Sequence, residues 1–246
     1  MEIKDTKKMK VVNKRVTKND ALGLACGMPE FTDDVDINGL LHCKMLWSPH
    51  AHALIKHIDT KAAMKVPGIK VILTYKDVPR IPHTKAGQGF PEPSPYDTYV
   101  LDNKVRFVGD RVAAVCGETL EACDEALKKI KVDYKVLRPV FDPIEAMKDG
   151  APVIHDEKDS KNIPDVKRNI AAKFDFEVKN GEWFKDADFI IENTYTMPYI
   201  QHCALEPHIA ISYLDAKGRI VIRTATQVPF HVRRIVAQAL DIPVKN

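Results

Sequence analysis

Hydrophobic residues alternate with polar ones, or form short continuous runs, along most of residues 40–136. Four of these runs predict β-strands: residues 40–47, 53–58, 70–74 and 132–136. Residues 105–108 and 111–116 flank Gly109-Asp110, and this pattern predicts a tight hairpin. Thr119 is a candidate N-cap for a helix with an apolar stripe that runs from Leu120 to Ile130. With a short helix at 61–66, these elements predict an α/β domain.

The pattern continues after a charged, proline-containing stretch at residues 156–169, which is a candidate domain boundary. A strand is predicted at 187–195, and a hairpin is predicted from 209–214 and 219–226 around a turn that ends at Gly218. A final helix is predicted at 231–240, with Pro229 suited to its first turn. A last helix packed on a hairpin leaves the sheet incomplete. A second polar stretch, residues 79–98, is rich in proline and predicts a long loop.

Composition excludes several classes of protein. The 246 residues carry a net charge of only +3, and the lysine-rich residues 4–18 are interpreted as a solvated N-terminus. We therefore expect no nucleic-acid partner. The first twenty residues lack the apolar core of a signal peptide, and no run is long enough to cross a bilayer, so a cytoplasmic protein without a membrane partner is expected. The five cysteines include no C-x-x-C pair and are expected to be reduced, with no iron–sulfur or zinc site in this chain.

Single candidate sites are weak when taken alone. His50 and His52 lie two residues apart and suit a metal, but no third ligand is evident, so two histidines in a turn is the favoured interpretation. The segment Gly87-Gln88-Gly89 lacks the spacing of a phosphate-binding loop. Gln227 follows a predicted strand and precedes a helix, where free N–H groups favour an electron-rich ligand. From the residues alone, a capping or loop glutamine remains the favoured interpretation of Gln227.

The order of short motifs along the chain resembles the large subunit of the xanthine dehydrogenase and aldehyde oxidase family, from about Gly27 to the last residue. The motifs that carry this resemblance are residues 31–34, Ser48-Pro49-His50-Ala51-His52-Ala53, Pro67-Gly68-Ile69, residues 104–113, Val132-Asp133-Tyr134, residues 151–155, His202, Glu206-Pro207-His208 and Thr226-Gln227.

The resemblance implies a mixed α/β (α+β) fold in the following parts: an N-terminal extension at 1–26, an α/β hammerhead domain at 27–155, a linker at 156–168, and the start of the first molybdopterin-binding domain at 169–246. It implies a molybdenum–pterin cofactor in the parent enzyme, which hydroxylates purines, other N-heterocycles or aldehydes with water. Gln227 matches the glutamine that hydrogen-bonds an oxygen ligand of the molybdenum, and is the one cofactor-binding residue predicted. Glu206 and His208 are interpreted as structural, with Glu206 buried and hydrogen-bonded.

The resemblance also implies iron–sulfur and FAD modules on separate partner subunits, together with a small-molecule substrate. The glycine-rich pterin-binding segment and the catalytic glutamate are expected beyond Asn246. We therefore expect a truncated fragment without catalytic or metal-binding residues of its own, inactive alone and without bound cofactor. The alternative is a non-catalytic hammerhead module that binds a subunit or another partner.

Overall fold

The structure is a computed structural model that describes residues 9–85, 89, 91–177 and 184–245. The helices are α1 (Ala21–Ala25), α2 (Leu120–Lys129), α3 (Pro143–Ala146) and α4 (Pro229–Ala239), with 3₁₀ turns at Thr32–Asp34 and Ala63–Lys65. The strands are β1 (His42–Trp47), β2 (Ala53–Asp59), β3 (Ile69–Thr74), β4 (Lys104–Val105), β5 (Arg111–Gly117), β6 (Lys131–Val136), β7 (Ala210–Leu214) and β8 (Ile220–Thr224). This mixture of helices and small antiparallel sheets confirms the predicted α+β class.

The first sheet has the strand order β1-β5-β3, and β5 pairs antiparallel with both neighbours. Helix α2 packs on one face of this sheet. Its N-terminus is capped as predicted, because the Thr119 hydroxyl accepts a hydrogen bond from the Ala122 N–H at 3.1 Å. Between helix and sheet lies a core of residues whose side chains are almost fully buried: Ala63, Val66, Val115, Cys123 and Ala126. The apolar stripe on α2 therefore forms one half of a closed hydrophobic core.

The second sheet has the order β4-β2-β6, again antiparallel. A second core lies here, formed by Ala53, Ile55, Val105 and Val112. The predicted hairpin between residues 105–108 and 111–116 is wrong, because β4 pairs with β2 while β5 pairs with β1 and β3. The turn itself is present, with Gly109 at φ +89°. It carries the chain from one sheet to the other, so the two strands that flank it never form a ladder.

The second part of the chain contains the predicted hairpin. Strand β7 pairs with β8, and Gly218 has the expected positive φ of +73°. Helix α4 follows, with Pro229 in its first turn as predicted. Among the described residues, no helix has the length and apolar character needed to span a bilayer.

The strand predicted at 187–195 is wrong. Residues 184–209 contain no strand, since no segment of the described chain pairs with them, and a strand needs a hydrogen-bonded neighbour. Cys203, which lies in this stretch, is exposed. Large hydrophobic side chains are exposed in this stretch: Phe184, Phe189, Ile190, Ile191, Tyr195, Met197, Tyr199, Ile200 and Leu205.

Irregular backbone connects the two parts. The described residues of the proline-rich stretch 79–98 form the predicted long loop, and their ladder pairing consists of isolated bridges such as His83 to Thr98. Residues 156–161, inside the predicted linker, make definite contacts with this loop, including the bridge from Tyr96 to Lys161. The predicted domain limits at 26, 155 and 168 stay predictions.

The core under α2 gives a direct test of this packing. Val115→Ala should lower the free energy of unfolding of the 246-residue chain by about 2–3 kcal/mol, because it leaves a cavity in a close-packed core. Val136→Ala is the matched control: Val136 is 59% exposed on β6, so the same change should cost less than about 0.5 kcal/mol. Urea denaturation measures both values. Equal losses in the two variants would contradict the assignment of Val115 to the core.

Candidate functional site

Gln227 lies in the four-residue connection between β8 and α4, as predicted. Its side chain is exposed, and no hydrogen bond to it is recorded among the described residues. The neighbouring backbone is held in place by short-range contacts. The Val228 N–H donates to the Thr226 hydroxyl at 3.1 Å, and the Thr224 hydroxyl donates to the Ile209 carbonyl at 2.9 Å. The carboxamide is therefore presented to the exterior from a fixed turn.

The start of α4 offers backbone donors beside this amide. The first N–H groups of a helix have no intrahelical acceptor, and the helix dipole places partial positive charge there. Val228 occupies the N-cap position, where its side chain makes no capping hydrogen bond, and Pro229 has no N–H. The corner thus combines a neutral amide, which both donates and accepts, with uncapped helical N–H groups. This combination suits an electron-rich, oxygen-bearing ligand.

One face of α4 packs on the proline-rich loop of the first part. Arg234 donates to the Gly89 carbonyl at 3.2 Å, and Gln238 donates to the Pro82 carbonyl at 3.0 Å. His231 is buried, and its Nε2 has no hydrogen-bond partner among the described residues. These three residues recur at helical spacing. The loop therefore fixes the orientation of the helix that begins just after Gln227.

Glu92 is a buried charged residue of that loop. Its carboxylate accepts hydrogen bonds from the Ser94 hydroxyl at 2.7 Å and from the Gly89 N–H at 3.3 Å. The Ser94 hydrogen bonds lower the pKa of Glu92, and the hydrogen bond from the Gly89 N–H lowers it further. The carboxylate therefore organises the loop from within.

An open groove of about 430 Å³ lies between β8 and the other side of α4. Its walls are mainly apolar and include Ile222, Val232 and Val236, while Thr226 and Pro229 line the end near the corner. Gln227 does not line this groove. The amide and the apolar groove are therefore separate features of the same strand–helix unit.

The other residues singled out from the sequence do not join Gln227 in a shared site. Glu206 is half-buried and has no recorded hydrogen bond within the described chain, so the expectation of a buried, hydrogen-bonded Glu206 is wrong; His208 is exposed. His52 is buried with Nδ1 2.9 Å from the Arg138 carbonyl, and His50 packs edge-on against Tyr134. Across the described residues, no group of three or more His, Cys, Asp or Glu side chains is arranged to hold a metal ion. Gly87 and Gln88 lie outside the described residues.

A cluster of charged residues that sequence patterns did not reveal holds the irregular segments together. Arg106 has a side chain only 9% exposed, and it pairs with Asp102 at 2.9 Å and Glu157 at 2.9 Å. Arg80 also pairs with Asp102 and lies 3.0 Å from Asp159. The cluster brings together groups separated by about fifty residues, which no local spacing could have indicated.

Tyr99 and Lys104 extend this cluster. The Tyr99 hydroxyl donates to Asp159 at 2.9 Å, and burial, followed by this hydrogen bond, raises the pKa of Tyr99. Lys104, also buried, donates to the Ile154 carbonyl and to Asp156 at 2.7 Å. Each cation in the cluster faces a carboxylate, so the arrangement is a structural ion-pair network rather than a poised catalytic group.

Comparisons with known proteins identify both parts of the chain. Residues 26–138 match the aldehyde oxidase and xanthine dehydrogenase a/b hammerhead domain, and residues 162–246 match the molybdopterin cofactor-binding domain. The probable hypoxanthine oxidase XdhD of Escherichia coli O157:H7 is 38% identical across 95% of this chain. The nicotinate dehydrogenase large molybdopterin subunit of Eubacterium barkeri is 28% identical across 96% of it.

A solved structure also has the same fold. The aldehyde oxidoreductase from Desulfovibrio gigas superposes with a TM-score of 0.73 at 25% identity, and covers 92% of this chain. The chain spans only a part of each of these proteins: 27% of the hypoxanthine oxidase, 52% of the nicotinate dehydrogenase subunit and 25% of the aldehyde oxidoreductase.

The charged cluster predicts a pH-dependent stability. Burial would raise the pKa of Glu157, but the hydrogen bond from His155 and the charge of Arg106 together lower it from 4.5 to about 2. Because the folded-state pKa is depressed, the stabilisation is complete above the unfolded-state pKa and is lost as the pH falls from about 4.5 towards 2. Glu157→Gln should therefore cost about 2–4 kcal/mol at neutral pH and flatten the dependence of stability on pH across that window.

Urea denaturation between pH 3 and pH 7 measures this effect. Glu145→Gln is the control, since Glu145 forms an exposed pair with Lys148 and such pairs contribute about 0–1 kcal/mol. A Glu157→Gln variant that matches wild-type stability at neutral pH would contradict the role given to the cluster.

Proposed function

Because the chain belongs to the xanthine dehydrogenase and aldehyde oxidase family, we propose that it forms part of a molybdenum hydroxylase in which Gln227 hydrogen-bonds the cofactor. The observation that carries the proposal is the strand–helix corner, where an exposed carboxamide lies beside uncapped helical N–H groups. The reaction is the water-dependent hydroxylation of a purine, another N-heterocycle or an aldehyde. Support for a purine comes from the similarity to a probable hypoxanthine oxidase.

The donor set at the corner fits a molybdenum–pterin group. Such a group presents oxygen atoms that need oriented donors, and the corner supplies an amide N–H₂ and backbone N–H groups. When bound, the cofactor supplies the oxygen-transfer and two-electron chemistry, as cofactors generally do, while the protein binds and orients. Gln227 holds the group by a hydrogen bond. The N-terminus of α4 adds favourable potential for negative charge, and the loop contacts of Arg234 and Gln238 keep the helix in place.

The proposal extends to partners. We infer that electrons leave through iron–sulfur and FAD modules on other subunits, as the family resemblance implies. The five free cysteines support a cytoplasmic location, because reduced thiols persist in that compartment.

Substitution of Gln227 in the complete, cofactor-loaded enzyme tests the proposal. Gln227→Ala should lower kcat by about 10–100-fold, the range typical of groups that orient a metal centre. Gln227→Glu, which keeps an acceptor but loses the donor and adds charge, should not restore activity. Steady-state kinetics normalised to bound molybdenum provide the measurement.

Asn38→Ala is the matched control, because Asn38 is an exposed carboxamide in the first part of the chain and should leave kcat unchanged. If Gln227→Ala retains wild-type kcat at equal molybdenum content, Gln227 does not orient the cofactor.

The second candidate is a non-catalytic module that only binds a subunit or another partner. The exposed hydrophobic residues between 184 and 205 favour a role in association, because contiguous apolar surface marks interaction sites. The two functions differ in cofactor content. The complex purified from its host, with the full polypeptide present, should contain molybdenum by elemental analysis and fluorescent pterin after acid release. A complex that lacks both would support the non-catalytic module and overturn the hydroxylase.

A further inference from the structure

Two cysteines lie directly opposite each other in the first sheet. Cys43 on β1 and Cys116 on β5 are register partners in the antiparallel ladder, so their side chains leave the sheet on the same face. Directly opposite residues in such ladders have Cα atoms about 4.5–5.5 Å apart. A disulfide needs a Cα separation of about 4.4–6.8 Å. The backbone register alone therefore brings the two thiols within bonding reach.

The face that carries these thiols is the one that α2 leaves uncovered. The residues next to them in sequence, Lys44 and Val115, point towards α2: Lys44 pairs with Asp124 at 2.5 Å, and Val115 lies in the core beneath the helix. Since successive residues of a strand alternate between faces, Cys43 and Cys116 point away from α2. Cys43 is exposed and Cys116 is half-buried, so a small reagent can reach the pair.

The two thiols also interact with each other. Burial raises the pKa of Cys43, and a hydrogen-bond interaction with Cys116 raises it further, to about 12. Both thiols are free in the structure.

The three remaining cysteines lack this arrangement. Cys123 is buried in the core and donates to the His42 carbonyl at 3.4 Å. Cys26 and Cys203 are exposed but lie outside the strands. Within the described residues, Cys43–Cys116 is the cross-strand thiol pair.

We propose that Cys43 and Cys116 form a modification site: an accessible cross-strand dithiol that takes a reversible intramolecular disulfide from low-molecular-weight disulfides such as oxidised glutathione. One thiol of the pair loses its proton to solvent and attacks the glutathione disulfide, which releases one glutathione. The second thiol also loses its proton and attacks the mixed disulfide, which forms the Cys43–Cys116 bond and releases the second glutathione. The two protein thiols are oxidised by two electrons, and the reagent is reduced to two thiols.

The test treats the reduced 246-residue chain with excess oxidised glutathione and maps the products by mass spectrometry of unreduced peptides. We expect one linked peptide pair that joins the segments containing Cys43 and Cys116, lighter by two hydrogen atoms than the sum of its parts and restored to free thiols by dithiothreitol. Cys43→Ser and Cys116→Ser should each abolish the link and leave a glutathione adduct on the remaining partner. The double variant Cys26→Ser/Cys203→Ser should keep it.

A second probe reports proximity without oxidation. Phenylarsine oxide, which bridges two neighbouring thiols, should bind the wild-type chain at one equivalent and bind neither single variant tightly. Circular dichroism checks that each variant is folded. A folded wild-type chain that gives glutathione adducts on both cysteines but no link, and that does not retain the arsenical, would overturn the proposal.

Discussion

A buried guanidinium must be paired, and this constraint organises the irregular half of the molecule. Removing an arginine charge from water is costly unless carboxylates neutralise it. Arg106, at the end of the short strand β4, meets this requirement with Asp102 from the preceding loop and Glu157 from the segment that leads into the second part. Ladder hydrogen bonds fix the strands, whereas the described residues of 79–103 and 154–161 form only isolated bridges. Their positions depend instead on charge pairs. A buried charge pair adds little stability compared with apolar residues of the same size, but it disfavours every arrangement that leaves a charge unpaired.

A chain of contacts connects this ion-pair network to the candidate site at Gln227. Asp102 also binds Arg80, which lies at the start of the proline-rich loop. Further along, this loop supplies the carbonyl groups of Pro82 and Gly89 to Gln238 and Arg234 of α4. The direction of α4 is therefore set partly by the same network, and with it the direction from which Gln227 is presented. A second contact between the two parts of the chain is the ion pair of Arg223 on β8 with Glu30, in which the closest nitrogen and oxygen atoms are 2.8 Å apart.

The chemistry of a few neighbouring residues was enough to predict the ends of the helices and the turn of the β7–β8 hairpin. Thr119 predicts the N-cap of α2, Pro229 predicts the first turn of α4, and Gly218 predicts a positive-φ turn, because each depends on a few neighbouring residues. The hairpin at Gly109-Asp110 was predicted wrongly for a related reason: the turn is local, but the choice of strand partner is not. Residues 187–195 have the apolar content of a strand, yet a strand also needs a neighbour, and none is present among the described residues. The pairing of Arg106 with Glu157 has no sequence signature at all.

The corner at Gln227 was predictable in position but not in environment. The strand, the turn and the helix start follow from local patterns, whereas exposure depends on what else packs there. In water, a hydrogen bond from an exposed amide contributes little, because the ligand exchanges it for one to solvent. The same amide contributes much more once water is excluded and the local dielectric falls. The hydrogen bond proposed between Gln227 and the cofactor would therefore contribute strongly only in an assembly that covers the corner. Two apolar surfaces could bind the part of the assembly that covers the corner: the exposed side chains of residues 184–205 and the groove along α4. Burial of either surface would stabilise that contact.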